Sequence, residues 1–169
     1  MDWPPNEEGV LLFVRNAWPI IKSEIPTASF QIVGRNPSPT VQSLQREDGV
    51  YVTGTVPDTR PFLSEAQVFV VPLVVGGGTR LKIFEAMAMR KAVVSTHLGA
   101  EGLRVEGGKH LLLADDMNGF ARQIVLLLNN HHKRTQLATD GHELVKAQYG
   151  SEQIARQFEA ACLRTIGTG

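Results

Sequence analysis

The chain has 169 residues, 43% hydrophobic and 20% charged, an ordinary globular balance in a length that suits one domain, 1–169, with a core needing neither disulfides nor metals. Seventeen Lys plus Arg offset seventeen Asp plus Glu, which argues against a general binder of nucleic acid or anionic membrane. A lone cysteine, Cys162, rules out an internal disulfide. No apolar run approaches the ~18 residues a bilayer requires, and the acidic start Met1–Glu8 lacks a secretory pattern, so a soluble cytoplasmic protein is expected.

Apolar residues from Val10 to Ile21 recur at helical spacing, predicting a first helix over about 7–23 that Pro19 kinks or divides. Ser29–Val33 is a predicted strand closed by Gly34. Pro37-Ser38-Pro39-Thr40 starts a helix running to Arg46. Val50–Thr53 is the next strand, ending at Gly54, and Asp58 is placed to cap a short helix, 60–66. Val68–Leu73 is almost wholly apolar, as in a strand buried on both faces. A helix from Thr79 to Arg90 follows, then strands at Ala92–Thr96 and His110–Ala114. Asp115 or Asp116 caps a helix to about Asn130, and two more helices are expected over 131–148 and 151–165. Short strands separated by helices predict an α/β fold, a Rossmann-like parallel sheet flanked by helices. Ligands of such sheets bind at the carboxyl ends of the strands.

The loop after Leu73 carries the strongest chemical signal. Gly76-Gly77-Gly78 joins a buried strand to a helix and allows a ligand close to the backbone. The helix start offers unpaired N–H groups and the positive end of a dipole, and Arg80 and Lys82 add two cations. Glu85 stands six residues beyond Thr79, ~9 Å along the axis at ~1.5 Å per residue. A diphosphate held at the bend would lie along the helix with its ribose toward Glu85. Each feature alone has an ordinary explanation: a flexible connection for the glycines, a solvated helix face for Arg80, Lys82 and Glu85. Their combination favours the anion site. His97 and His110 read as loop and strand-edge residues, Trp3 and Trp18 as packing residues. No His, Cys or Asp cluster has metal-ligand spacing, and no Gly-x-Ser-x-Gly occurs.

These residues resemble a known family. Gly54-x-Val56-x-Asp58, Arg60-Pro61-Phe62-Leu63, Val68–Leu73, Gly76 through Ala88, Val93–Thr96 and Gly99–Leu103 look like the C-terminal domain of group 1 (family 4) retaining glycosyltransferases, in the subgroup with Gly-Gly-Gly-Thr-Arg. The similarity covers essentially the whole chain. It implies one half of a GT-B enzyme, binding a nucleoside-diphosphate sugar, UDP- or GDP-linked, with no metal or other cofactor. Glu85 matches the ribose-binding glutamate of the family. Gly77, Gly78, Thr79, Arg80, Leu81 and Lys82 match the segment receiving the donor pyrophosphate and sugar. Val56 matches the loop whose backbone lies against the base. Transfer with retention would draw on amides and cations to stabilise the departing diphosphate.

Three departures from the family pattern stand out. Gly77 occupies the place of the first family glutamate, as is usual in this subgroup. Arg90 replaces a helix-ending glycine and is expected to strain that turn. Met1–Asn6 resembles the loop after the domain's first strand, so the central strand between Ser29–Val33 and Val68–Leu73 is expected to be missing, as is the N-terminal acceptor domain. The open edges would then be closed within the chain or covered by a second copy, as a homodimer. Alone, such a chain is expected to be inactive. Two other readings remain at this stage: a non-catalytic truncated domain or assembly module, and a GT-B sugar-nucleotide epimerase.

Overall fold

The structure, a computed structural model, describes residues 3–76 and 81–149. The bend Gly77–Arg80 and the helix expected over 151–165, with Cys162, lie outside them. Helix α1 spans Pro4–Leu12, and a π-helical turn, Phe13–Ala17, leads into α2, Trp18–Glu24. Strand β1 is Phe30–Val33, followed by α3, Pro39–Ser43, with a 3₁₀ turn at Leu44–Arg46, and β2 is Val50–Gly54. Then come α4, Arg60–Glu65, β3, Val68–Val71, α5, Leu81–Ala88, and β4, Ala92–Ser95. The last elements are β5, Leu112–Leu113, α6, Met117–Asn129, and α7, His131–Tyr149. The expected α/β alternation is therefore present, and every strand pairing is parallel.

Local chemistry sets the boundaries. The first helix begins at Pro4 rather than near residue 7, because two prolines fit the first turn, where the N–H is not needed. Pro19 offers no N–H, and the chain absorbs the loss in the π turn, where the Trp18 N–H reaches back to the Phe13 carbonyl. Ser38 caps α3 through a 3.3 Å bond from the Val41 N–H, and Asp116 caps α6 at 2.8 Å from the Gly119 N–H.

The sheet is split. Among the described residues, β1 pairs only with β2, and β3, β4 and β5 form a separate sheet in that order. No described strand lies between β1 and β3, where the sequence predicts one to be missing. β4 is the most buried strand, with Ala92, Val93, Val94 and Ser95 all inaccessible. The expectation that β3 is buried on both faces is corrected: Val68, Phe69 and Val70 are only half-buried, because β3 is an edge strand. One apolar cluster spans both sheets, joining Ile32 and Val50 to Ala92, Val94 and Leu112 through Phe13, Trp18 and Ile21 below and Phe120, Ile124 and Leu127 of α6.

Helix α1 lies close over the end of β3. A Cβ on Gly9 would collide with the Pro72 carbonyl oxygen, so only glycine lets the backbones approach this far. Its other end is tied down by Glu7, whose carboxylate accepts the Ser38 N–H at 3.2 Å. At the end of α5, Arg90 has φ 55°. The Arg90 N–H bonds the Met87 carbonyl at 2.9 Å and the Lys91 N–H bonds the Ala86 carbonyl at 2.9 Å. That is a Schellman closure, whose left-handed position favours glycine, and the strain expected of Arg90 is present.

Gly9→Ala is expected to lower stability by about 1–3 kcal/mol through overpacking, outweighing alanine's ~1 kcal/mol helix advantage. Denaturant unfolding measures it. Arg90→Gly is expected to raise stability by about 0.5–1 kcal/mol, as ~1–2 kcal/mol of left-handed strain is relieved against ~0.4–1 kcal/mol of added unfolded-chain entropy. A lower melting temperature in that variant would contradict it.

Candidate functional site

The carboxyl ends of β3 and β4 are locked together by Thr96. Its buried hydroxyl donates to the Leu73 carbonyl and accepts the Gly99 N–H at 2.8 Å, while its own N–H bonds the Val71 carbonyl at 3.2 Å. This fixes the strand end from which the glycine bend departs. Gly76 opens that bend with φ 102°, and a Cβ there would stand 2.8 Å from Pro5 Cγ and 3.2 Å from the Trp3 ring. The start of the bend is thus packed against the start of α1.

Helix α5 turns Ile83, Ala86 and Met87 into the core and leaves Leu81, Lys82 and Glu85 exposed. Lys82 and Glu85 are three residues apart and share a face. Lys82 Nζ donates to Asn6 Oδ1 at 2.9 Å, so this face borders the start of α1. No described residue hydrogen-bonds the Glu85 carboxylate. The structure therefore brings together Lys82, Glu85, Leu81 and Gly76 with Trp3, Pro5 and Asn6. Gly77, Gly78, Thr79 and Arg80 lie outside the described residues. Val56, half-buried, follows β2 on the other sheet, and no described contact joins it to α5.

Asp58 precedes α4 and accepts from the Arg60 backbone N–H at 2.9 Å and from Arg60 Nε at 3.0 Å. The Arg60 side-chain hydrogen bond, then its backbone N–H, hold the Asp58 carboxyl below its usual range, and Asp58 in turn raises Arg60. This is a local helix-start device. His97, read as a loop residue, is pinned there by Asp115: its N–H reaches Oδ1 at 2.8 Å and Nδ1 lies 2.8 Å from Oδ2. His110 is also structural, its Nδ1 accepting the Glu106 N–H at 3.0 Å. Trp18 is buried and donates Nε1–H to the Asp48 carbonyl at 2.9 Å, a packing residue as expected.

Sequence reasoning placed Thr96 at a strand end and in the family motif but gave its hydroxyl no role, and it did not single out Asn6 or Pro5. The positions of Asn6 and Pro5 arise from packing between segments some seventy residues apart, and the signal for them was that Trp3-Pro4-Pro5-Asn6 stands where the family loop does.

The family model for glycosyl transferases group 1 matches residues 1–130. The chain belongs to this family. It is 36% identical over 116 residues to LpsE of Rhizobium meliloti (strain 1021), a lipopolysaccharide core biosynthesis glycosyltransferase, covering 64% of the chain and 32% of LpsE. A 44.6 kDa protein of the cps region of Klebsiella pneumoniae is 25% identical over 159 residues, covering 89% of the chain and 41% of that protein. The chain thus spans less than half the length of either relative. Among solved structures, the C-terminal domain of LpcC, a group 1 family protein of Francisella tularensis, superposes with a TM-score of 0.71 at 16% identity, over 88% of this chain and 82% of that domain. HepE of Anabaena, solved with UDP and glucose, gives a TM-score of 0.72 at 16% identity, over 88% of this chain and 44% of HepE. The fold of this glycosyltransferase-family chain is that of one GT-B domain. Among the described residues, no helix is long and apolar enough to cross a membrane.

Thr96→Val removes the hydroxyl that joins β3 to the turn after β4 and leaves the Gly99 N–H and Leu73 carbonyl without it. A loss of about 1–3 kcal/mol is expected, with faster amide exchange at Gly99. Wild-type exchange there would show that the hydroxyl does not hold the rim.

Proposed function

We propose that this chain is the donor-binding domain of a retaining glycosyltransferase. The observation that carries the reading is the exposed Lys82–Glu85 face of α5, which borders the packed junction of Gly76 with Trp3, Pro5 and Asn6 at the carboxyl end of β3. The diphosphate of a nucleoside-diphosphate sugar rests on the bend formed by Gly77, Gly78, Thr79 and Arg80, with Leu81 beginning the helix beside it. Lys82 contributes positive charge next to the phosphates. Glu85 accepts hydrogen bonds from the ribose hydroxyls one turn further on, and the loop backbone at Val56 meets the base. The printed association of HepE with UDP supports a uridine nucleotide as the first ligand to try.

In the transfer step, the bond from the anomeric carbon to the diphosphate breaks and negative charge grows on the leaving oxygen. Backbone amides of Gly77–Arg80, together with the Arg80 and Lys82 side chains, stabilise that charge without a metal. The acceptor enters from a second domain carried outside this chain, and the chain alone performs no transfer. The outer edges of β1 and β3, each paired on one side only among the described residues, are covered by a second copy of the chain, since an open strand edge invites pairing. The whole operates in the cytoplasm.

Isothermal titration with UDP and GDP tests the donor site. At least one should bind, and Glu85→Ala should weaken it by about 1–3 kcal/mol, the value of charge-assisted hydrogen bonds. Equal affinity in wild type and variant removes Glu85 from the ribose role, and no binding of either nucleotide leaves the chain as a non-catalytic module.

A further inference from the structure

At the amino ends of β3 and β4, the opposite end of the sheet from the glycine bend, a cleft of about 190 Å³ opens among the Ala66–Gln67 turn, the Arg90–Ala92 turn and helix α7. Arg90, Lys91 and Arg134 line it with Gln67, Thr135 and Thr139, and none of its lining residues is acidic. Thr135 and Thr139, four residues apart, share one face of α7, with Arg134 beside them in the lining. Lys91 Nζ donates to the Ser64 carbonyl at 2.5 Å, and Arg134 Nη1 donates to the Leu127 and Leu128 carbonyls at 2.7 and 3.1 Å. These carbonyls lie outside the cleft's lining, and those of Leu127 and Leu128 close the last turn of α6, so each head keeps its formal charge while a neutral partner fixes its position. None of the three cations forms an ion pair with a described residue; the pairs present are elsewhere.

Arg90 adds an independent observation. It occupies the left-handed position of the α5 closure, where glycine would relieve the strain. Non-glycine residues held in that region cluster where a ligand is bound. Here the strained backbone sets Arg90 in the lining of a cleft that Lys91 and Arg134 also line, a local excess of positive charge that an anion would lower in energy. Guanidinium forks match tetrahedral oxyanions, and the Thr135 and Thr139 hydroxyls and the Gln67 amide offer further donors.

We propose that this cleft binds a phosphate group, either free phosphate or a phosphate monoester, between Arg90, Lys91 and Arg134. The site is separate from the donor site, and by gripping the Arg90 turn and α7 together it ties the end of α5 to the C-terminal helix.

The test is titration of the full chain with inorganic phosphate and, in a second arm, glycerol phosphate, followed by calorimetry and by melting temperature, with sodium chloride at matched ionic strength as control. Phosphate is expected to bind and to raise the melting temperature beyond the chloride control; tighter binding of glycerol phosphate identifies the monoester as the ligand, and equal binding identifies free phosphate. Arg90→Gly is the informative variant. It should melt higher than wild type without phosphate yet bind phosphate about tenfold or more weakly, a combination that a purely structural arginine does not produce. Arg134→Gln should weaken binding as well. Unchanged phosphate affinity in Arg90→Gly, or affinity lost in Lys82→Gln instead, overturns the proposal, the latter by assigning the phosphate to the glycine bend. Nucleotide binding and its response to Glu85→Ala are read separately, so either site can fail without the other.

Discussion

Among the described residues no strand pairing connects β1 to β3, so the two sheets are held in one body by side chains, and the aromatic cluster around Phe13 is where that happens. Phe13 sits in the π turn, fully buried, with its ring centroid 4.7 Å from Phe30 on β1, 5.9 Å from Phe120 on α6 and 6.4 Å from Trp18. α6 in turn packs on the β3–β4–β5 sheet. Tilted and edge-on ring contacts of this kind combine large apolar burial with a preferred geometry. The π turn is what aims Phe13 there, and Pro19 is the reason for the π turn.

The same helical layer positions the candidate site. Because α1 leads into the Phe13 turn at one end, its other end is carried over the carboxyl end of β3. There Gly9 meets Pro72, Pro5 and Trp3 meet Gly76, and Asn6 meets Lys82. The exposed carboxylate of Glu85 and the ammonium of Lys82 thus stand at a rim assembled from the start of the chain and the segment after β3. At the other end of the sheet, the closure of α5 places Arg90 beside Lys91 and Arg134. One helix, α5, therefore has a mixed acid–base face toward one rim and a wholly cationic turn at the other.

Much of the local structure follows from residues a few positions apart. Prolines at helix starts, Ser38 and Asp116 as caps and short β-branched runs between helices are all short-range signals, and the described elements formed close to where those signals put them. The strain at Arg90 was legible for the same reason: a non-glycine residue stood where the helix had to close left-handed. Errors arose where burial depends on neighbours. Val68–Val71 reads as a doubly buried strand by composition, but burial is set by what packs alongside, and among the described residues β3 pairs with β4 alone, while the apolar run at Ala92–Ser95 became the central, inaccessible strand.

By itself, then, the sequence determined the α/β alternation, the parallel class, the family and the candidacy of Glu85 and Lys82, because periodicity, capping and motif spacing act over a few residues. The missing strand between β1 and β3 was legible too; only the tertiary structure decided that the described strands leave that gap open, that Asn6 and Pro5 join the rim, that Val56 follows a strand of the other sheet, and that Arg90, Lys91 and Arg134 line one cleft at the amino ends of β3 and β4. Those are contacts between distant segments, and they depend on shape complementarity and helix placement across the whole core rather than on any local pattern.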